Sequence, residues 1–273
     1  MAVRRIILIT FICLAVTVGV LLAVRTGNAA RVRLMVHAGA GIRPALDELG
    51  SLFQERTGVG IDYNYKGSAC LLPDVCVSEK GDVYIPGELY YMQQATDRKL
   101  VKSYRVVATM STVVIVHAGN PKNIKTLQDM ARPGLRIGLG DPQAVAIGRA
   151  ARQALVKAKV WKQVEKNLVM SAQNVTELSN AVKLRHLDAA VVWDATAALY
   201  NEKEMVTISV PTKYRVVSPI PVGLLKFSQH RGEAEQYIDF LASEEATKVF
   251  LKHGFGRVPK SEAARKTPGG TKG

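Results

Sequence analysis

A repeated unit of strand, small-residue turn and helix constrains the fold of this chain more than any other feature. It first spans 32–58, where a β-type run ends in the turn His37–Gly41 and leucines follow at helical spacing. Further strands are predicted at Gly60–Tyr65 and Gly81–Pro86, and a helix begins near Leu89. This alternation predicts an α/β fold with a mostly parallel sheet and helices on its faces.

The second half of the chain repeats this alternation. The predicted strands there are Ser111–His117, Arg136–Leu139, Leu168–Met170, Ala189–Trp193, Thr207–Val210 and Val216–Leu225. The predicted helices are Ile124–Met130, Arg149–Lys159, Val175–Leu187, Gly232–Leu241 and Glu244–Leu251. Because no low-complexity linker separates the two sets, we predict two lobes joined by crossing strands. Lobe I is 31–108 with 219–259, and lobe II is 109–218.

The N-terminal 1–30 has the layout of an export signal. Two arginines precede the uncharged run Ile6–Val24, and small residues follow it up to Ala30. A run of that length also suits a retained membrane anchor, so both interpretations stay open. Either one places the rest of the chain in the periplasm or at the outer face of the cytoplasmic membrane. The final segment, 260–273, is rich in Lys, Pro, Gly and Thr and is predicted to be a flexible tail.

Composition narrows the classes of partner. The hydrophobic content of 48% suits a folded body rather than a disordered chain. A formal net charge of +14 favours anionic partners. Nucleic acid is not expected, because the Lys and Arg residues are scattered and aromatic residues are not interleaved with them. A membrane surface or a small anionic ligand fits better.

Two cysteines follow the signal, Cys70 and Cys76. Thiols tend to be oxidised outside the cytoplasm, so a disulfide that closes a small loop is the first interpretation. Free or buried thiols are the alternative. A metal site lacks further ligands at suitable spacing, and no metal with direct protein ligands is predicted.

Three strand ends lead through small residues into a helix, at Ala38–Gly41, Gly67–Ala69 and Ala144–Gly148. The first backbone N–H groups of a helix lack partners within it and carry the positive end of the helix dipole. Converging starts of this kind can bind an anion without a charged side chain. Ser68 adds a hydroxyl donor. The alternative is that small residues merely make tight turns.

These turns also carry a family resemblance. The chain resembles the molybdate-binding proteins of ABC importers over nearly all of its length after the signal. The resemblance rests on Val36-His-Ala-Gly-Ala-Gly-Ile-Arg-Pro-Ala-Leu46, Gly67-Ser-Ala-Cys-Leu71, Gly81-Asp-Val-Tyr-Ile85, Gly140-Asp-Pro-Gln143 with Gly148-Arg-Ala-Ala151, Asn174-Val175 and Val191-Val-Trp-Asp-Ala195. It implies a periplasmic-binding-protein fold of type II, in which two α/β lobes hold a tetrahedral oxyanion in the cleft between them.

The resemblance also implies a set of oxyanion-binding residues. It places backbone N–H donors in the first turn at Ala40 and Gly41, where the family usually has a serine at the position of Gly41. This chain keeps the serine that the family has in the second loop. The remaining contacts that the resemblance implies fall on two backbone N–H groups and one side chain. The matching residues are Ser68, Ile147, Val175 and Trp193, and this tryptophan replaces a tyrosine of the family.

From these features we expect a binding protein, not an enzyme. It would capture molybdate or tungstate, need no cofactor, act as a monomer and deliver its ligand to an ABC permease. One alternative is a receptor for another oxyanion, such as sulfate or phosphate. Another is an exported enzyme or a membrane-tethered anion sensor, although Ser68 lacks the surrounding motif of a hydrolase nucleophile.

Overall fold

The computed structural model describes residues 32–259, so the predicted signal and tail lie outside the described residues. The strands are β1 (Arg33–Gly39), β2 (Gly60–Lys66), β3 (Val83–Ile85), β4 (Val101–His117), β5 (Ile137–Gly140), β6 (Leu168–Ala172), β7 (Ala189–Trp193), β8 (Met205–Ser209) and β9 (Val217–Leu225). The helices are α1 (Arg43–Thr57), α2 (Ser68–Ser78), α3 (Leu89–Asp97), α4 (Ala146–Lys157), α5 (Trp161–Lys166), α6 (Val175–Lys183), α7 (Asp194–Ala197), α8 (Arg231–Leu241) and α9 (Glu244–Lys252). Short 3-10 turns occupy Ala40–Ile42 and Gln128–Ala131.

The strands form a mixed sheet in the order β2-β1-β3-β9-β4-β7-β5-β6, with β8 also paired to β4. Strand β1 pairs in parallel with β2 and β3, and β5 pairs in parallel with β6 and β7. All pairings of β4 and β9 in the described residues are antiparallel. The prediction of a mostly parallel sheet was therefore wrong, because the strands that join the two parallel groups run against them.

Strand β4 joins the two halves of the sheet. Its residues 101–111 pair with β9, its residues 112–116 pair with β7, and its residues 113–117 pair with β8. We define the first half as β1, β2, β3 and β9 with their helices, and the second half as β5, β6, β7 and β8 with theirs. The predicted lobe boundaries at 108/109 and 218/219 fall inside β4 and β9, and the lobe limits stay a prediction.

Helix α1 shows why these segments fold as they do. Leu46, Leu49 and Phe53 lie on one face at helical spacing and are almost fully buried in the largest core cluster. Gly58 ends the helix in the left-handed conformation, with φ of 76°, which costs glycine little. Burying this face against the sheet fixes the N-terminus of the helix at the end of β1.

Several boundaries differ from the prediction, among them those of β4 and α4. Strand β4 begins at Val101, ten residues before the predicted run. The prediction missed this start because buried and exposed residues alternate irregularly over 101–110. Helix α4 begins at Ala146, whereas Ala146–Gly148 was predicted as loop. In the described residues no helix is both long and apolar enough to span a membrane.

The predicted Cys70–Cys76 disulfide is absent, and both thiols are free. Both cysteines belong to α2, where six residues correspond to a rise of about 9 Å along the axis. Disulfides need Cα atoms within about 7 Å of each other. The pair cannot be bridged while α2 is intact, so the interpretation as free thiols replaces the disulfide.

Candidate functional site

One cavity lies between the two halves of the sheet, at the ends of strands where helices begin. Its volume is about 50 Å³. On the same measure one water needs about 10–15 Å³, so the cavity fits a group of only a few heavy atoms. Its lining includes all six residues that the sequence predicts as ligand contacts: Ala40, Gly41, Ser68, Ile147, Val175 and Trp193. The structure thus brings them together, and their role in binding stays a prediction.

The helix starts around the cavity have few side-chain caps. No side chain caps the 3-10 turn Ala40–Ile42, α2 after Gly67, or α4 after Val145. A capping side chain would have satisfied one of the N–H groups that a helix start leaves without a partner. The N–H groups at these starts that are not bonded to the preceding turn are therefore available as donors, and each start adds a partial positive charge beside the cavity.

Helix α6 has a cap that leaves its first N–H groups available. The Asn174 side chain accepts a hydrogen bond from the Glu177 N–H at 3.0 Å, and its amide donates to the Glu177 carboxylate at 2.6 Å. This reciprocal pair satisfies the third N–H of the helix and fixes its start. The N–H of Val175 precedes the capped position, and both Asn174 and Val175 line the cavity.

Ser68 is the hydroxyl of the cavity and is only 5% exposed. Its Oγ accepts a hydrogen bond from the Gly87 N–H at 2.9 Å. Because a hydroxyl can accept and donate at once, this contact fixes the oxygen and leaves the O–H free to donate. Among the hydrogen bonds of residues 32–259, Ser68 Oγ has no partner that would activate it as a nucleophile.

Trp193 closes the cavity on the side of the second half and is 3% exposed. The next residue holds the turn: Asp194 accepts hydrogen bonds from the N–H groups of Ser111 at 3.0 Å and Ala195 at 2.9 Å. Burial raises the pKa of Asp194. The indole N–H of Trp193 can donate a hydrogen bond but cannot accept one. A fully deprotonated anion needs only donors, so this group suits it.

Among the described residues that line the cavity, Lys66 is the one with a charged side chain. Its ammonium forms an ion pair with Asp74 of α2, which lowers the pKa of Asp74. The charge of Lys66 is thereby compensated within the protein. Anion recognition here rests on backbone N–H groups and Ser68.

The sequence did not point to two lining residues, Gly87 and Met110, whereas Gly39 and Val145 lie inside turns that it did single out. Gly87 had a signal, since Pro86-Gly87 follows β3 just as small residues follow β1 and β2. Met110 had none, because its strand position was not predicted.

His37 is not part of the lining of this cavity. It is 1% exposed, with Nδ1 at 3.0 Å from the Asn64 amide nitrogen and Nε2 at 3.1 Å from the Lys80 carbonyl oxygen. Burial lowers its pKa, which favours the neutral ring. His37 is therefore a packing residue with both ring nitrogens satisfied. Among the described residues, no cluster of His, Cys, Asp or Glu side chains could hold a metal ion.

Comparison with known proteins identifies the family. The sequence profile of the bacterial extracellular solute-binding proteins matches residues 34–256. The chain belongs to this family. A family of solute-binding proteins agrees with the expectation of a binding protein.

Two curated relatives connect this solute-binding protein to ABC transporters. It is 28% identical over 234 residues to the putative ABC transporter substrate-binding lipoprotein YvgL of Bacillus subtilis, covering 84% of this chain and 88% of the relative. It is 24% identical over 226 residues to the molybdate-binding protein ModA of Mycobacterium tuberculosis, covering 82% and 84%. The predicted resemblance to molybdate-binding proteins is confirmed at this level of relatedness.

Solved structures confirm the fold class. The periplasmic molybdate-binding protein of Azotobacter vinelandii superposes with a TM-score of 0.73 at 16% identity, covering 83% of this chain and all of that one. The sulfate-binding protein SubI of Mycobacterium tuberculosis gives 0.75 at 17% identity, covering 85% and 89%. At these identities the likeness establishes an α/β binding-protein fold and leaves the ligand open.

Proposed function

We propose that this protein captures a small tetrahedral oxyanion, molybdate or tungstate, and delivers it to an ABC permease. The observation that carries the proposal is the convergence of uncapped helix starts and the Ser68 hydroxyl on one small cavity. Its donors are neutral, and its one charged residue is paired with Asp74. Such a site suits an anion that accepts hydrogen bonds from all sides.

The choice among oxyanions follows from whether each ion carries a proton near neutral pH. Phosphate carries a proton near neutral pH and needs an acceptor, and the predicted contacts of this cavity are donors. Molybdate, tungstate and sulfate are fully deprotonated and need donors alone. The relationship to ModA favours the two larger ions, and the likeness to SubI makes a sulfate receptor the second candidate.

Isothermal titration calorimetry with molybdate, tungstate, sulfate and phosphate tests this proposal. We expect saturable heat at one site per chain with molybdate and tungstate, and no competition from phosphate. Saturation by sulfate with no heat from molybdate would transfer the assignment to the second candidate. No heat from either molybdate or tungstate refutes the proposal.

A substitution of Ser68 tests the site within the same experiment. Ser68→Ala removes a hydrogen bond to a charged ligand, a contact worth about 1.5–3 kcal/mol, so we expect a loss of affinity for molybdate of about tenfold or more. Ser51→Ala is the matched control, because Ser51 is exposed on α1 and bonds only to the Asp47 carbonyl at 2.9 Å. Its affinity should equal that of the unmodified protein.

The site of action proposed here is outside the cytoplasmic membrane. The uncharged run Ile6–Val24 supports export, as does the family of extracellular solute-binding proteins. Cleavage would give a diffusing receptor, and retention would give one anchored beside its permease. N-terminal sequencing of the protein from its native membrane or periplasm distinguishes the two.

A further inference from the structure

A cluster of four side chains lies just outside the cavity and joins its two sides. Arg149 belongs to the first turns of α4, in the second half of the molecule. Glu88, Tyr90 and Tyr91 belong to the start of α3, in the first half. Their neighbours Ile147 and Gly87 line the cavity itself. The cluster therefore spans the mouth of the cavity without belonging to its lining.

Arg149 contacts the first half through several kinds of interaction. Its guanidinium forms an ion pair with Glu88. Its Nη1 donates to the Tyr91 hydroxyl at 3.3 Å. Its Cζ lies 4.4 Å from the ring centroid of Tyr90 and 4.9 Å from that of Tyr91. A guanidinium suits this arrangement, because it stacks on aromatic rings and bonds in its plane at the same time.

The cluster is partly removed from water. The side chain of Glu88 is 12% exposed and that of Arg149 is 32% exposed, and burial lowers the pKa of Arg149. Removing one member of such a pair leaves the other charge without its partner, which is costly. An ion pair between two fully exposed side chains would stabilise the contact far less.

The loops on the two sides of the cavity lie close together at this point, with little room for a side chain between them. A Cβ built on Gly67 would lie 3.4 Å from the Ala144 carbonyl oxygen, and one on Gly87 would lie 3.9 Å from the Ala146 Cβ. In the described conformation the two sides of the cavity lie close together, and the contacts of Arg149 with Glu88, Tyr90 and Tyr91 depend on that closeness. Opening the cavity would break the ion pair and both ring contacts.

We propose that Arg149 and Glu88, with Tyr90 and Tyr91, form a latch that holds the cavity closed and sets the rate of ligand release. The latch rests on the proposed function, since it retains the anion that the cavity captures. Its residues control affinity through closure and make no contact with the ligand. They are positioning residues rather than binding residues.

Stopped-flow kinetics with molybdate, followed by tryptophan fluorescence, tests the latch. Loss of one partner of a buried charge pair acts mainly on the dissociation rate. We expect Arg149→Gln and Glu88→Gln each to raise koff by about tenfold or more and to change kon by less than about twofold. The double variant should be no faster than Arg149→Gln, because that single variant already removes both the ion pair and the ring contacts.

A matched control lies on the same helix. Lys157 is exposed at the end of α4, so Lys157→Gln removes the same charge from the same helix. Its koff should equal that of the unmodified protein. A merely structural ion pair would lower the melting temperature of the Arg149 and Glu88 variants without changing koff, and unchanged koff in both variants overturns the latch.

A measurement without ligand separates the latch from the proposed function. Spin labels at Gln93→Cys on α3 and Gln153→Cys on α4, with the three native cysteines replaced by serine, report the distance across the mouth. In ligand-free protein we expect Arg149→Gln to shift the distance distribution to longer values and Lys157→Gln to leave it unchanged. If the protein binds no molybdate, the proposed function fails, and this comparison still decides the latch. Identical distributions in all three proteins overturn it.

Discussion

Gly41 shows how a single residue sets the donor count of the cavity. It lies in the 3-10 turn after β1 and lines the cavity, where it offers only a backbone N–H. A Cβ built on Gly41 would have no atom within 4 Å. The proteins that this chain resembles usually have a serine here. Space for a hydroxyl therefore exists at a position where this chain lacks one.

We expect Gly41→Ser to bind molybdate more tightly, by about tenfold, because a hydroxyl donor to a charged ligand contributes about 1.5–3 kcal/mol, less the cost of ordering the side chain. Calorimetry beside the unmodified protein measures the change. Gly41→Ala is the control: it adds the Cβ without the donor and should bind as the unmodified protein does. Equal affinities for the serine and alanine variants would contradict a donor role at this position.

The start of α4 is the most constrained element around the cavity. Gly148 packs against the loop that follows β5, and a Cβ there would lie 2.4 Å from the Gly140 carbonyl oxygen and 2.6 Å from backbone atoms of Asp141 and Pro142. These neighbours are backbone and cannot move aside cheaply. Such contact holds the first turn of α4 against the loop after β5, and Ala146 and Ile147 of that turn line the cavity.

We expect Gly148→Ala to destabilise the protein by about 1–3 kcal/mol, the usual cost of overpacking a closed site, and to weaken molybdate binding because the α4 start must shift. Urea unfolding and calorimetry measure the two effects. Gly232→Ala is the matched control, since Gly232 lies in the first turn of α8 with nothing within 4 Å of its Cβ position. It should be neutral or slightly stabilising. Equal stabilities of the two variants would contradict this prediction, because they would show that α4 shifts to accommodate the added methyl group without cost.

At the scale of elements, the sequence predicted what depends on local pattern. Strand β7 was predicted at Ala189–Trp193, as observed, because a continuous apolar run between a polar turn and a helix start is a strong signal. The start of β4 was missed because its pairing with β9 is decided by residues more than a hundred positions away.

The candidate site was predictable to a similar extent. The turns that follow β1 and β2, and the loop before α4, carry visible small residues, and the family resemblance implied ligand contacts there at Gly41, Ser68 and Ile147; all three line the cavity. The latch could not, because Glu88 and Arg149 lie far apart in the chain and neither has a distinctive local motif. The disulfide prediction failed because a cysteine spacing alone says nothing of the helix that separates the two thiols.

At the scale of the whole molecule, the shared strands couple the two halves. Strand β4 pairs with β9 at one end and with β7 and β8 at the other, so neither half has a complete sheet without it. The cavity takes residues from both halves, Ser68 from the first and Val175 from the second. An anion bound in this cavity, as proposed, would therefore stabilise the contact between the halves as well as each half.

We expect one cooperative thermal transition that moves to higher temperature with molybdate. Ligand at 100 times its Kd stabilises the folded state by about 2.7 kcal/mol. For a chain of this size each kcal/mol raises Tm by about 2–4 °C, which gives a shift of about 5–11 °C. Differential scanning calorimetry measures it. Ser68→Ala at the same molybdate concentration should shift less, because its Kd is higher. Two separate transitions, with only one moved by molybdate, would mean that the halves unfold independently and that the anion binds to one of them alone.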